Sequence, residues 1–299
     1  MRKDVYERIT GQIVAELDKG VRPWAKPWSA EHAAGRITRP LRHNLVPYKG
    51  INVVMLWSAA VGAGYAAPIW MTYRQATELG GQVRKGESGQ LVVYASTLNR
   101  SETDPETGEE TDTEIPFMKG YTVFNVEQVD GLPAPFYAPA EPRLDPVRRI
   151  EHADQFFANT GAEIGYGGDR AYYAVGPDRV QMPPFETFRD AESFYSTLGH
   201  ECTHWTRHPS RLDRSFGRKR WGDEGYAREE LVAELGAAFL SADLDLTLEP
   251  RADHAAYIGS WLEVLKNDKR AIFQAAAHAQ RAVDYLQGLQ RENEQGAAA

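Results

Sequence analysis

Apolar and polar residues follow two different periods along this chain, and the switches between them mark out its elements. Val5, Ile9, Ile13, Val14 and Leu17 recur at helical spacing, which predicts an amphipathic helix from Asp4 to Leu17, ended by Lys19-Gly20. The apolar run Val53–Ala60 predicts a second helix. Thr72 is placed to cap a short third helix over 73–79, terminated by Gly80-Gly81. Gln90–Ala95 and Tyr121–Val126 read as partner strands. Ser101–Glu114, between them, is acidic and free of apolar residues, which predicts a solvated hairpin excursion.

A proline-rich stretch over 131–146 then breaks the pattern and predicts a linker. Beyond it the periodicity predicts a helix from Val147 to Thr160 and a strand over 162–166. A hairpin of Ala171–Val175 with Arg179–Met182 follows, and then helices over Phe188–Thr206 and Tyr226–Leu240. The remainder, Ala255–Gln290, carries Ile258, Trp261, Leu262, Leu265, Ile272, Ala275, Ala282 and Leu286 on one helical face. The expected organisation is α+β: a mixed α/β domain over 1–130, the linker, and a second domain over 147–299 with a small sheet and a helical C-terminal part.

Composition narrows the class. No apolar run approaches the ~20 residues that span a bilayer, so no membrane association is expected. The N-terminus lacks the apolar core of a signal peptide. The single cysteine, Cys202, excludes an intramolecular disulfide framework and fits a cytoplasmic protein. The net charge of −8 argues against a uniformly basic nucleic-acid binder, yet its distribution is uneven. Residues 1–99 hold 13 Lys/Arg against 7 Asp/Glu, an excess of +6, which points to a polyanion partner for that part alone.

The same region interleaves cations with aromatic rings. Arg22, Trp24, Lys26 and Trp28 alternate in a proline-broken segment, and Tyr48, Lys49, Trp70, Tyr73, Arg74, Arg84 and Lys85 continue the mixture. Rings on which bases stack, with cations for the phosphates, are how sequence-tolerant single-strand binders work. These eleven residues form the expected contact set for single-stranded DNA. A set of indoles capping a small core is the competing reading.

The strongest chemical signal is His200-Glu201-Cys202-Thr203-His204 within the helix expected over 188–206. Two histidines four apart share a helical face and can reach one metal ion, and Glu201 is placed to take a proton from water on that ion. A catalytic zinc site takes three protein ligands and keeps one position open. Glu230 is the expected third ligand, with Glu229 the alternative about 100° around the helix. Glu234, one turn beyond Glu230, is expected to orient a ligand histidine. Tyr226, Tyr195 and Arg207 all remain candidates to stabilise an oxyanion. His208, followed by Pro209, reads as a loop residue, and Cys202 as core. Zinc is the default ion, one per chain, and manganese suits the same ligands.

Together these stretches resemble the plasmid antirestriction ArdC family. In the first half the resemblance is carried by Tyr6-Glu-Arg-Ile-Thr10, Pro23-Trp24, Pro27-Trp28, Tyr48-Lys-Gly-Ile-Asn52, Trp70-Met-Thr-Tyr-Arg-Gln-Ala76, Gly81-Gln-Val-Arg-Lys-Gly86 and Val123-Phe-Asn125. In the second half it is carried by His200–Thr206 and Tyr226–Leu235. The resemblance implies an N-terminal single-stranded-DNA-binding domain, a type also found in plasmid DNA primases, followed by a zincin-like metallopeptidase domain. It further implies an antirestriction role, protecting incoming plasmid DNA from host restriction during conjugation, and leaves the protein substrate unidentified, with the restriction machinery as one candidate. The alternative is a non-catalytic DNA-binding protein whose metal domain is structural or an interaction module.

Overall fold

The computed structural model describes residues 4–24, 38–103, 110–138, 146–217, 223–246 and 255–297. The first half holds helices α1 (Val5–Leu17), α2 (Ile51–Ala63) and α3 (Tyr73–Glu78). Its strands are β1 (Leu41–Arg42), β2 (Ile69–Met71), β3 (Gln82–Val83), β4 (Gln90–Thr103), β5 (Glu110–Asn125) and β6 (Val129–Asp130). The second half holds α4 (Pro146–Ala158), β7 (Glu163–Tyr166), β8 (Tyr172–Ala174) and β9 (Arg179–Met182). Four further helices complete it: α5 (Ala191–Trp205), α6 (Glu224–Asp243), α7 (Ala255–Asn267) and α8 (Ala271–Ala297).

The strands form three sheets, ordered β1-β2-β5-β4, β3-β6 and β7-β9-β8. The predicted hairpin is present: β8 pairs antiparallel with β9, Tyr173 opposite Val180, and β8 stands at the edge of its sheet. The strands expected over 90–95 and 121–126 run on well past those limits. Their antiparallel register continues from Gln90 opposite Val123 to Thr103 opposite Glu110. The ends of the stretch read as a solvated excursion are therefore paired strand. Its threonines favour extended backbone, and a two-stranded ladder satisfies its own N–H and C=O groups without apolar residues.

Local chemistry sets the helix ends. The Asp190 carboxylate accepts the Ser193 N–H at 2.7 Å, so α5 starts at Ala191, three residues later than periodicity suggests. In α6, Asp223 caps Tyr226 in the same way. The C-terminal helical run is broken in two. Asp268 accepts the Arg270 N–H at 2.9 Å and pairs with Arg228 from α6, which turns the chain between α7 and α8.

Helix α6 is buried from Ala227 through Ala242 with few breaks, Glu229, Glu230 and Glu234 included. It has no solvent stripe because α5, α7 and α8 all pack against it. The hydrophobic core also crosses from one half to the other. One cluster takes in Ile9, Trp24, Val53 and Trp57 together with Phe239, Trp261 and Ile272. Trp24 meets Trp261 edge-on at 5.8 Å, and Trp57 lies 5.9 Å from Phe239. A smaller cluster gathers Met71, Val83, Val126 and Val129 beneath the β3-β6 pair. Among the described residues no helix is long and apolar enough to cross a membrane.

Candidate metal centre

The two histidines and Glu230, the expected third ligand, come from helices that cross closely. At the crossing, a Cβ on Gly236 of α6 would lie 2.5 Å from Thr203 Cγ2 and Oγ1 of α5, so only glycine fits. Thr203 is fully buried, and its hydroxyl donates to the Gly199 carbonyl at 2.8 Å. This approach brings Glu230 against the His-Glu-x-x-His face. Glu230 Oε2 lies 3.5 Å from His200 Nε2, and Oε1 lies 3.5 Å from His204 Nε2.

These separations fit an ion better than they fit direct contact. Hydrogen bonds between such groups take about 2.7–3.2 Å. Tetrahedral ligands at roughly 2.0–2.2 Å from zinc stand about 3.3–3.5 Å from one another. One donor atom each from His200, His204 and Glu230 lies within 4.8 Å of the others. All three residues, with Glu201, are buried. The donor set and its spacing therefore suit one divalent cation.

A second set of groups fixes the ligands. Glu229 Oε1 is 3.0 Å from His204 Nδ1, which leaves Nε2 turned toward Glu230. Arg214 grips that carboxylate with two donors, at 2.9 Å and 2.8 Å. The same guanidinium reaches Thr206 Oγ1 at 3.1 Å and the Thr203 carbonyl at 2.9 Å. For His204, then, the orienting role expected of Glu234 belongs to Glu229. Glu234 lies one turn further along α6, with an oxygen 3.8 Å from Arg22.

The charges in this closed space are strongly coupled. Burial alone would depress the His204 pKa, but Glu230 and the hydrogen-bonded Glu229 raise it to about 10. Burial opposes the charge on Glu229, yet Arg214 and then His204 hold its carboxyl down at about 2. The Glu230 carboxyl is likewise pushed up by burial and pulled further down by His204 and His200, well below the carboxylate range. Cys202 is fully buried on the far face of α5, where burial raises its thiol, in keeping with core.

The structure separates the remaining candidates. Tyr195 points away toward α4, its hydroxyl 3.1 Å from Asp154 and its ring stacked on Phe157, so it is not an oxyanion donor here. Tyr226 lies four residues before Glu230 on α6 and shares its face. His208 has left the helix, and its Nδ1 meets Ser210 Oγ at 2.7 Å.

The expected DNA contacts divide sharply. Trp24, Tyr48 and Trp70 are core residues, 0%, 3% and 2% exposed, and have no face for a base. Trp24 packs on Trp261 and Trp70 on Tyr65, because an indole flanked by apolar neighbours gains more from burial than from solvent. Arg22 is turned inward to Glu234. Lys49 is exposed and paired with Asp284, and Arg74 is exposed and paired with Glu78. Tyr73, Arg84 and Lys85 lie together at the surface around one cleft. Lys26 and Trp28 lie outside the described residues.

Comparison with known proteins places this geometry in a lineage. Residues 3–124 match the N-terminal domain of anti-restriction factor ArdC, and residues 151–278 match a zincin-like metallopeptidase domain. The crystal structure of the antirestriction ArdC protein from plasmid R388, in its metal-free form, is 47% identical with a TM-score of 0.80. That match covers 97% of this chain and 99% of the other. The y4eC protein of Sinorhizobium fredii (strain NBRC 101917 / NGR234) is 46% identical over 97% of this chain and 93% of its own. This chain belongs to the ArdC antirestriction family.

An Mn(II)-bound structure of the R388 ArdC protein matches at 45% identity and a TM-score of 0.78, over 96% of this chain and 98% of that one. The DNA primase TraC of Escherichia coli is 36% identical across 98% of this chain, which spans 28% of TraC. Within this ArdC family member, sequence reasoning missed Arg214 and Arg39. Each is buried against a carboxylate, Arg214 on Glu229 and Arg39 on Asp243. Arg39 clamps Asp243 at 2.8 Å and 3.0 Å and reaches Gln280 at 3.2 Å. No local sequence signal distinguishes a buried arginine from an exposed one, since the partner lies far away in the chain.

Proposed function

We propose that this protein binds single-stranded DNA through its first half and carries a metal-dependent peptidase centre in its second, protecting incoming plasmid DNA from restriction. The observation that carries the second claim is the convergence of His200, His204 and Glu230 with Glu201 buried beside them. A divalent ion bound by the three ligands, zinc by default or manganese, would polarise a carbonyl and acidify water.

The chain's own groups supply the rest. Glu201 accepts the proton of the attacking water and returns it to the leaving amine as the C–N bond breaks. Arg214 and Glu229 keep His204 in the tautomer whose Nε2 faces the site. Strand β8, at its sheet edge, is available for an extended peptide to pair with. Tyr226, on the face of α6 that carries Glu230, is the remaining tyrosine candidate to steady the developing oxyanion.

Two measurements test the reading. Glu201→Gln keeps all three ligands, so it should retain the ion and lose hydrolysis of proteins in a restricting cell's extract. Full antirestriction by that variant would transfer the biological activity to a non-catalytic metal domain. For DNA, affinity for a single strand should fall steeply as salt rises. Binding indifferent to salt would remove phosphate contact from the proposal.

A further inference from the structure

The motif Gly81–Gly86 and the helix start at Tyr73 are not used by the metal centre, yet they frame a built cleft. It lies between α3, β3, β5 and β6 and has a volume of about 590 Å³, within the ~300–1,000 Å³ that small-molecule clefts take. We infer that this cleft holds one unstacked nucleobase of a bound single strand, an inference that rests on the DNA-binding reading above.

Its walls are aromatic and fixed. Tyr73 is 52% exposed, and its hydroxyl accepts a hydrogen bond from Gln82 Nε2 at 2.9 Å. Phe124 also lines it, half-buried against the smaller core. A Cβ on Gly89 would lie 3.0 Å from Phe124 Cε1 and 2.4 Å from Thr122 Cγ2, so the backbone abuts that ring directly. Arg84 adds a flat surface. Its Nε and Nη2 both donate to Glu87 Oε1, at 3.1 Å and 2.7 Å, and Glu87 is tied in turn to Gln128 at 2.9 Å. Aromatic rings and guanidinium planes are the groups on which splayed bases stack.

The charges favour a base over a phosphate in the cleft itself. Arg84 and Lys85 are balanced by Glu87 and Asp130, with Arg84 already committed to both acids. A phosphodiester anion would be repelled by the two carboxylates, whereas a neutral base would not. The Gln82 side-chain oxygen offers an acceptor to a base edge. Lys85 is exposed and makes no ion pair with any described residue, which suits the adjoining phosphate. Trp24, Trp28, Tyr48, Trp70 and Tyr73 are the rings expected to stack, and Trp28 lies outside the described residues. Tyr73 is the one aromatic of that set that the described structure leaves open.

The test compares a short thymidine oligomer with an abasic strand of equal length by fluorescence anisotropy. Wild-type protein should prefer thymidine, and Tyr73→Ala should weaken that binding about 5- to 100-fold, the worth of one stacked base. Its affinity for the abasic strand should not change, and Tyr73→Phe should bind as wild type does. Lys85→Ala should flatten the log–log salt slope by about one. If Tyr73→Ala binds thymidine normally, or wild type treats both strands alike, the slot is wrong while DNA binding stands. If wild type binds neither strand, the DNA-binding reading fails as well. Should Tyr73→Ala fold poorly, the two-strand comparison on wild-type protein still decides.

Discussion

Gly236→Ala is the substitution that most directly probes how the metal centre is assembled. The added Cβ would lie 2.5 Å from two atoms of Thr203, against an ordinary contact of at least 3.4 Å, so about 0.9 Å (3.4 − 2.5) must be found. Thr203 cannot swing aside cheaply, because it is fully buried and its hydroxyl is spent on Gly199. Helix α6 cannot back away, because it is packed on all sides. The strain of overpacking costs about 1–3 kcal/mol, a fall in Tm of roughly 2–10 °C. The same displacement would spread Glu230 from the two imidazoles, each 3.5 Å away, and should weaken metal binding by about tenfold or more. Calorimetric titration of metal-free protein with Zn2+ and Mn2+ reads the affinity, and a thermal melt reads the strain. Adding Thr203→Ala removes both clashing atoms and leaves only a Cβ at 3.1 Å, so the double variant should recover part of each loss. A single variant that binds metal like wild type would refute the claim that this crossing sets the ligand geometry.

Two further outcomes follow from the site and the core. Trp24→Ala should destabilise the protein by about 3–5 kcal/mol, as truncation of a buried indole does, measured by denaturant titration. Single-strand affinity of the folded fraction should be unchanged, and a specific loss of that affinity would return Trp24 to the DNA interface. Metal affinity should rise with pH across neutrality, about tenfold per unit. The His204 pKa in the metal-free protein is raised to about 10, and binding needs the neutral ring, so each ion displaces a proton below that pH. By the same linkage, the raised pKa stabilises metal-free protein fully below about 6.5 and loses that contribution as pH rises toward 10. A binding enthalpy that does not vary with the ionisation enthalpy of the buffer would exclude proton release.

Much of the site was readable because its chemistry is local. His200, Glu201 and His204 lie within about one helical turn, and Glu230 stands on a helix of strong helix formers a short way along the chain. Glu229 and Glu234 could not be ranked that way, since their roles depend on Arg214 and Arg22, contacts that span 15 and 212 positions (229 − 214, 234 − 22). The aromatic–basic interleaving of the first hundred residues misled for a related reason. Composition reports which side chains are present, and burial decides which of them face solvent. Trp24 went inward to Trp261, far along the chain, and Trp70 to Tyr65, while Tyr73 stayed out. The hairpin between the two strands was legible, but how far its ladder runs was not, because a polar ribbon needs no hydrophobic pattern to form.

The seam between the halves has a consequence for inheritance. Trp24 against Trp261, Trp57 against Phe239 and Arg39 against Asp243 are contacts whose two members lie on opposite sides of the proline-rich stretch. A recombination event that exchanged one half for a distant relative's would have to bring matching surfaces with it, or leave an arginine buried beside no acid. The two halves should therefore be inherited together. Their match across 98% of this chain inside the longer TraC primase fits a block inherited as one piece.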